Sequence, residues 1–208
     1  MRFLISFILF VSGYIMMNRL NALIDYLLKV DKKTNDILFN IMGGCFMLSC
    51  FHQFGLSFTT FVVLLIVFNL LVIAKIDYLT MNIYLLSILL FMILTIGYCM
   101  IQHRCLQDMM YGAISVASMM LFFNVIIPES FGFGDIELMF VSGILLGFQN
   151  NILAMIIAIC IAGTLSCLAL FFHKISWKTQ FPFAPYLTLG ILLSLFYGQQ
   201  LLDWYFMI

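Results

Sequence analysis

The sequence is poor in charge: only 9% of its 208 residues are Asp, Glu, Lys or Arg, whereas 65% are hydrophobic. A soluble domain ordinarily carries about 25% charged and about 45–50% apolar residues, so the composition excludes a water-soluble globule. Nine basic residues balance nine acidic ones and form no cluster, which excludes a nucleic-acid binder that neutralises phosphates. We therefore expect an integral membrane protein whose main surroundings are the lipid bilayer.

Paired cysteines and proline-rich linkers are missing as well. No Cys-x-x-Cys pair occurs in the chain, and the three histidines have no metal-ligand spacing, so no metal site is predicted. Only three prolines are present, and no internal repeat or low-complexity tract divides the sequence. We therefore expect residues 1–208 to form one transmembrane domain.

Long apolar runs make up most of the sequence. A helix needs about 20 mostly apolar residues to cross the hydrocarbon core of a bilayer, and short polar breaks separate eight runs here. The sixth has only 13 residues, so we expect it to tilt into protein surroundings or to extend into its flanking loop. The sequence predicts an all-α, polytopic transmembrane helical bundle of about eight spans: Phe3–Met17, Ile37–Phe51, Phe58–Ala74, Ile83–Ile101, Met109–Ile127, Ile136–Phe148, Ile152–Phe172 and Phe183–Leu202.

Lysine and arginine fall mainly on one side of this arrangement. Cytoplasmic loops retain basic residues, so the side with seven of the nine is predicted to be cytoplasmic and both termini external. The largest loop on that side, Asn18–Asp36, is interpreted as a solvated charged loop that includes Asp25, Asp31 and Asp36. The seven basic residues are Arg19, Lys29, Lys32, Lys33, Lys75, Lys174 and Lys178.

Two carboxylates differ from the other acidic residues in their position. Asp77 closes span three and Asp135 opens span six, with two spans between them, so an even number of crossings returns both to the same membrane face. Two neighbouring carboxylates share a proton and suit peptide hydrolysis by the acid–base logic of aspartic proteases. The alternative is structural, with an interfacial charge beside Lys75 and an ordinary N-cap aspartate.

The glycines before Asp135 fit a catalytic loop. Gly132 and Gly134 allow φ > 0 and leave no side chain in the way, so a peptide backbone can approach closely there. Asp135 would lie at the start of span six, where unpaired N–H groups and the helix dipole favour a carboxylate.

A second pair of glycines, Gly143 and Gly147, lies further along span six in a Gly-x-x-x-Gly pattern. This spacing is typical of closely packed membrane helices. It predicts either that span six packs against span three or that the chain forms a homodimer.

Three segments in combination resemble the type 4 prepilin peptidase family of membrane aspartic peptidases. Gly132–Leu138, which reads Gly-Phe-Gly-Asp-Ile-Glu-Leu, resembles the family's Gly-x-Gly-Asp-Ile-Lys-Leu motif. Asp77–Ile83 matches the spacing of the family's Asp-Leu-x-x-x-x-Ile-Pro-Asn motif. Phe181–Leu187, followed by Gly190, is similar to its Pro-Phe-x-Pro-x-Leu segment before the last helix. The resemblance runs from about Phe58 onward.

The resemblance implies an aspartic endopeptidase that removes the short basic leader of pilin-like precursors at the cytoplasmic face of the bacterial plasma membrane. Asp77 and Asp135 would be catalytic, and Gly132 and Gly134 would shape the active-site loop. Neither a metal nor a cofactor is implied. The expected partners are the precursor substrate and the lipid bilayer, with a homo-oligomer as an option and no nucleic acid.

The chain departs from the family in several places. Many members also methylate the new N-terminus with S-adenosylmethionine, an activity associated with two Cys-x-x-Cys pairs between spans one and two. Those pairs are missing here, which puts methyltransferase activity in doubt. Tyr84 stands where the first motif has Pro, and Glu137 replaces the usual Lys. An inward-pointing Glu137 would modulate the nearby carboxylate of Asp135.

Two other functions compete with the peptidase. A proton-coupled small transporter would use paired carboxylates near mid-membrane and helices broken by Gly or Pro at that depth. A catalytically silent assembly factor of a pilus or secretion apparatus would keep the fold without the chemistry, and Glu137 and the missing cysteine pairs are compatible with it.

Overall fold

A computed structural model describes residues 2–29, 36–128, 130–172 and 181–207 of the chain. Within these residues the protein is helical and contains no strand, which confirms the predicted all-α bundle. The helices are α1 (Arg2–Leu27), α2 (Ile37–Phe54), α3 (Phe58–Thr80), α4 (Leu85–Ile101), α5 (Leu106–Ile126), α6 (Phe133–Leu146), α7 (Phe148–Phe171) and α8 (Ala184–Phe206).

Among the residues that the structure describes, five helices are long and apolar enough to cross a membrane. The shorter helix α4 is also apolar. By length and composition, the chain is therefore a multi-pass membrane protein. The five segments are Ile5–Leu27, Ile37–Phe54, Phe58–Thr80, Leu106–Ile126 and Phe148–Leu168.

α3 is the central helix of the bundle. In its most apolar stretch 67% of the residues are buried, against 22–28% in the other four long apolar helices. It packs against α1, α2, α4 and α8, and Val63, Ile66 and Leu70 on it are fully buried. Asp77 is therefore carried by a helix that protein, rather than lipid, surrounds on most sides.

α6 is a short helix of 14 residues. It packs against α4, α5, α7 and α8, and Leu138, Met139 and Leu145 on it are fully buried. Because protein surrounds it, α6 does not have to cover the thickness of a bilayer on its own. The prediction that the sixth apolar run lies in protein surroundings is confirmed.

Gly143 and Gly147 join α6 to α5. A Cβ built on Gly143 would collide with the Gly112 carbonyl oxygen of α5, and one built on Gly147 would collide with the Asp108 side chain. Between α6 and α3, by contrast, the described residues make no close backbone contact. The prediction that these glycines pack span six against span three is therefore wrong, whereas the homodimer stays a prediction.

α1 continues to Leu27, well beyond its predicted end at Met17. The Asn21 amide donates a hydrogen bond to Asn40 Oδ1 at 2.8 Å, and the Asn40 amide donates to Asn18 Oδ1 at 3.2 Å. These hydrogen bonds link α1 to α2 through side chains that composition assigns to a polar break, while Asn21 Oδ1 is buried without a partner among the described residues. The predicted loop Asn18–Asp36 is therefore wrong in extent, since its first half is helical.

Lys75 lies inside α3 and is only 1% exposed. Its Nζ is 2.8 Å from Asp25 Oδ1 and 3.0 Å from Asp36 Oδ1, so the interpretation of Asp25 and Asp36 as solvated loop charges is wrong. An ammonium buried this deeply is stable only beside opposite charges. We call these three residues the Lys75 cluster. Other charged residues of the predicted cytoplasmic side lie outside the described residues: Asp31, Lys32, Lys33, Lys174 and Lys178.

Candidate active site

Asp77 lies near the C-terminal end of α3 with its side chain buried, 5% exposed. The helix continues to Thr80 and ends because Met81 adopts a left-handed conformation with φ of 52°. The Met81 N–H donates to the Asp77 carbonyl at 2.8 Å, which closes the last turn. A buried carboxylate requires hydrogen-bond partners, and these come from a distant part of the chain.

The first partner of Asp77 is the N-terminus of α8. The Ala184 backbone N–H donates to Asp77 Oδ2 at 3.1 Å. Ala184 is the first residue of α8, where N–H groups have no acceptor within their own helix, and Pro185 after it has no N–H to offer. The positive end of the α8 dipole thus faces the Asp77 carboxylate.

Asp135 is the third residue of α6 and is partly buried. Its Oδ2 lies beside Gly132, the N-cap residue of α6, where the N–H groups at the start of the helix favour a carboxylate. Its Oδ1 is buried and has no hydrogen-bond partner among the described residues. A buried oxygen without a partner is costly, so the site is suited to a shared proton, a water or a substrate group.

The structure brings Asp77 and Asp135 to the same end of the bundle. The chain that follows α3 touches Gly134, the residue before Asp135, through Ile83, although 58 residues separate the two carboxylates in the chain. α3 and α6 themselves make no close backbone contact, and α8 packs against both. The N-terminus of α8 therefore links the two carboxylate-bearing helices.

Gly134 is where the two carboxylate-bearing segments touch. A Cβ on Gly134 would lie 2.8 Å from the Cβ of Ile83, in the chain that follows α3. Gly134 lies within α6 and does not adopt positive φ, nor does Gly132, whose φ is −66°. The predicted conformational reason for these glycines is therefore wrong, whereas the missing side chain does permit close approach.

Gly132 leaves room for the Asp135 carboxylate. A Cβ at this position would lie 3.2 Å from Asp135 Oδ2, which is tighter than an ordinary van der Waals contact. The missing side chain of Gly132 therefore lets the carboxylate lie against the start of α6.

The three segments that carry the family resemblance converge on this site. The Asp77 segment contacts the α6 N-terminus through Ile83 and Gly134 and the α8 N-terminus through Ala184. The chains before α6 and α8 also meet, since the rings of Phe131 and Phe183 have centroids 5.8 Å apart.

Asn124 is a site residue that the sequence reasoning missed. Its Oδ1 accepts from the Phe131 N–H at 2.8 Å and its Nδ2 donates to the Phe131 carbonyl at 2.9 Å. The same Oδ1 accepts from the Ser130 hydroxyl at 2.7 Å. This side chain fixes the loop before the Gly-x-Gly-Asp motif, and its only sequence signal is a polar residue near the end of an apolar run.

The two departures from the family motifs lie at the edge of the site. Glu137 is exposed, so its influence on Asp135 stays a prediction. Tyr84 is the N-cap of α4 with φ of −80°, which is close to the value that a proline ring imposes. The backbone at this position is therefore one that a proline could also adopt.

A cavity of about 320 Å³ lies next to the Lys75 cluster, since Asp36 and Lys75 line it. Its walls come from α2, α3, α7, α8 and the chain just before α8, and they include Tyr78 beside Asp77 and Pro185 beside Ala184. Among the residues that the structure describes, no group of three or more His, Cys, Asp and Glu side chains is arranged to hold a metal ion.

Comparison with known proteins places this arrangement in context. The sequence model of the type IV leader peptidase family matches residues 63–168, just over half of the chain. The matched region contains Asp77, Gly132, Gly134 and Asp135. No curated protein and no solved structure matches the chain.

Proposed function

Because the chain belongs to the type IV leader peptidase family, we propose that it is an aspartic endopeptidase that uses Asp77 and Asp135 to remove the leader of pilin-like precursors. Cleavage would take place at the cytoplasmic face of the bacterial plasma membrane. One observation carries the proposal: the end of α3 that bears Asp77 and the start of α6 that bears Asp135, 58 residues apart in the chain, are brought together with the N-terminus of α8 at one end of the bundle.

The proposed reaction divides two roles between the carboxylates. At close range like charges oppose double ionisation, so the pair holds one proton. The ionised carboxylate takes a proton from water, whose oxygen attacks the carbonyl carbon of the scissile bond, while the protonated one donates a hydrogen bond to the carbonyl oxygen. Collapse of the tetrahedral adduct breaks the C–N bond, and a proton passes to the leaving amine.

The helix termini around the pair support this chemistry. The α8 N-terminus donates to Asp77 through Ala184, and Asp135 lies in the first turn of α6. Fixed N–H dipoles aimed at a reacting carboxylate stabilise charge without reorganisation during the reaction. The buried, unpaired Oδ1 of Asp135 is the atom best placed to share a proton or to contact the carbonyl.

The proposed substrate is a short basic leader joined to an apolar helix. That helix would enter from the lipid and present its leader junction to the pair. The apolar cavity bounded by α2, α3, α7 and α8 reaches Tyr78 and Pro185, the chain neighbours of Asp77 and Ala184, so it would accept apolar side chains close to the leader junction.

Two observations favour the peptidase over a proton-coupled carrier. α3 is unbroken as it passes through Asp77, and both carboxylates lie near helix ends rather than at the centre of their helices. A carrier would place them near mid-membrane, in helices that are interrupted there. The segment between α1 and α2 contains no cysteine, so methylation is not included in the proposal.

Co-expression with a tagged pilin-like precursor in membranes tests the proposal. Leader removal is followed by gel shift for the wild type, Asp77→Asn and Asp135→Asn. Asp203→Asn is the matched control, because it changes an exposed carboxylate of α8. We expect cleavage by the wild type and the control, and a loss of about a thousandfold or more in each site variant.

If either site variant cleaved the precursor at the wild-type rate, the proposed mechanism would be wrong. If folded wild-type protein left several precursors uncleaved, the result would favour the silent assembly factor.

A further inference from the structure

The Lys75 cluster lies outside the catalytic pair but close to it in the chain, since Lys75 precedes Asp77 by two residues. Asp25 belongs to α1 and Asp36 is the N-cap of α2. The family match begins at residue 63, so these two acidic residues lie outside it. Helices α1 and α2 supply neither member of the catalytic pair, yet they are tied to the helix that carries Asp77.

The ammonium of Lys75 is fully engaged by these ties. Its Nζ lies 2.8 Å from Asp25 Oδ1 and 3.0 Å from Asp36 Oδ1, and it donates to the Asn21 carbonyl at 3.2 Å. A lysine ammonium has three donor protons, and here there are three acceptors. One side chain therefore fixes α3 to both helices of the α1–α2 hairpin.

Net stability is a poor explanation for this cluster. Removing charges from water is costly, and replacing a buried ion pair with neutral residues is often neutral or stabilising. What a satisfied ion pair does provide is a fixed geometry. Asp25 and Asp36 hold Lys75 from two different elements, so the end of α3 has little freedom to slide or rotate.

Lys75 and Asp77 act on opposite sides of α3. Successive residues of an α-helix are about 100° apart, so residues separated by two positions point about 200° apart. Lys75 accordingly contacts α1 and the start of α2, while Asp77 contacts the N-terminus of α8. A shift of α3 away from the hairpin would move Asp77 relative to Ala184.

We propose that Lys75 is a positioning residue for Asp77, because its ion pairs with Asp25 and Asp36 hold the end of α3 where the carboxylate meets both Ala184 and Asp135. The inference rests on the proposed function in that it assigns Asp77 to catalysis. It gives the α1–α2 hairpin a role in the reaction although the hairpin contributes no catalytic group.

The test compares the wild type with the neutral triple variant Lys75→Met/Asp25→Asn/Asp36→Asn. This variant leaves no buried charge unpaired, so it is expected to fold, with a Tm in detergent close to that of the wild type. Precursor cleavage should show kcat reduced about tenfold or more at nearly unchanged KM, since a small displacement of a catalytic group has effects of this order. Lys29→Met, which removes an exposed lysine next to α1, is the matched control.

A second measurement does not depend on activity. Selective ¹⁵N-alanine labelling reports the hydrogen-exchange rate of the Ala184 amide, whose acceptor is Asp77. We expect this amide to exchange about tenfold faster in the triple variant and in Asp77→Ala, while the amide of Ala158, buried in α7, keeps its rate. If the wild type cleaves no precursor, the proposed function fails but the exchange comparison still decides whether Lys75 positions Asp77.

Wild-type exchange at Ala184 in a folded triple variant would overturn the inference, as would a rise in KM with kcat intact. If the triple variant does not fold, Asp25→Asn and Asp36→Asn replace it, because Lys75 keeps one carboxylate in each. Each single variant should then show a smaller fall in kcat and a smaller rise in the exchange rate of the Ala184 amide. Wild-type values of both quantities in both single variants would also overturn the inference.

Discussion

The Asp77 carboxylate accepts a hydrogen bond from the Ala184 backbone N–H at 3.1 Å, across 107 residues of chain. The donor is a main-chain group at a helix N-terminus, so among substitutions at Ala184 only proline removes it directly. A site built this way depends on where α8 begins. Pro185 has no N–H, so Ala184 is the one backbone donor among the first two residues of α8.

Substitutions at Asp77 should separate the loss of this hydrogen bond from the loss of catalysis. Asp77→Asn keeps an oxygen acceptor for the Ala184 N–H, whereas Asp77→Ala removes it. Both variants should be inactive. The free energy of unfolding should be about 1–3 kcal/mol lower in Asp77→Ala than in Asp77→Asn. Thermal unfolding in detergent measures the difference, and equal stability of the two variants would contradict the role of this bond.

Gly134→Ala should disturb the contact between α6 and the chain after α3. The new Cβ would lie 2.8 Å from the Ile83 Cβ, so one segment must move and Asp135 moves with it. We expect a loss of about tenfold to a hundredfold in kcat/KM, measured by precursor cleavage.

Ile83→Gly removes the colliding atom and should restore part of the activity of Gly134→Ala. Gly163→Ala is the control, because a Cβ there would meet nothing within 4 Å. Equal activity losses in Gly134→Ala and Gly163→Ala would argue against a specific contact.

Asn124 should act through the loop that it binds. Asn124→Ala removes bonds to both the N–H and the carbonyl of Phe131, whereas Asn124→Asp keeps the acceptor. Each bond contributes about 0.5–1.5 kcal/mol. Activity should therefore be highest in the wild type, lower in Asn124→Asp and lowest in Asn124→Ala. Ser118→Ala is the control on the same helix, because Ser118 is exposed and its hydroxyl bonds to its own helix. This variant should leave kcat unchanged. Wild-type kcat in Asn124→Ala would contradict the role of Asn124.

Glu137→Lys introduces the residue that the family motif usually has. Because Glu137 is exposed, its interaction with the pair is screened and weak, and activity should stay within about twofold of the wild type. Cleavage rates over a range of pH measure this, and a large displacement of the profile would indicate that the side chain turns towards Asp135.

The parity of membrane crossings was sufficient to predict that Asp77 and Asp135 reach the same end of the bundle, since it depends only on counting apolar runs. The partners of these residues could not be predicted in the same way. Ala184 is an ordinary alanine, and its role follows from its place at the start of α8. Asn124 likewise acts because α5 ends beside the loop at Phe131, which no spacing in the sequence reveals.

The errors near the N-terminus have one physical cause. Composition treats Asn21, Asp25 and Asp36 as polar and therefore as solvated. In the structure their side chains pair with Asn40 and Lys75 inside the bundle rather than with water. A hydropathy scale describes the transfer of a single side chain between water and an apolar medium. It does not include a hydrogen-bond or ion-pair partner on another helix.

The contact between Asp77 and Ala184 can form only late in the synthesis of the chain. The 107 residues between them take a ribosome that adds about 5–20 residues per second on the order of ten seconds to translate. Throughout that interval Asp77 is already in the nascent chain, but the backbone group that holds it has not yet been made. On the proposed function, the site obtains its full set of contacts only after the start of α8 has emerged, and a chain that is still being inserted is not expected to cleave neighbouring membrane proteins.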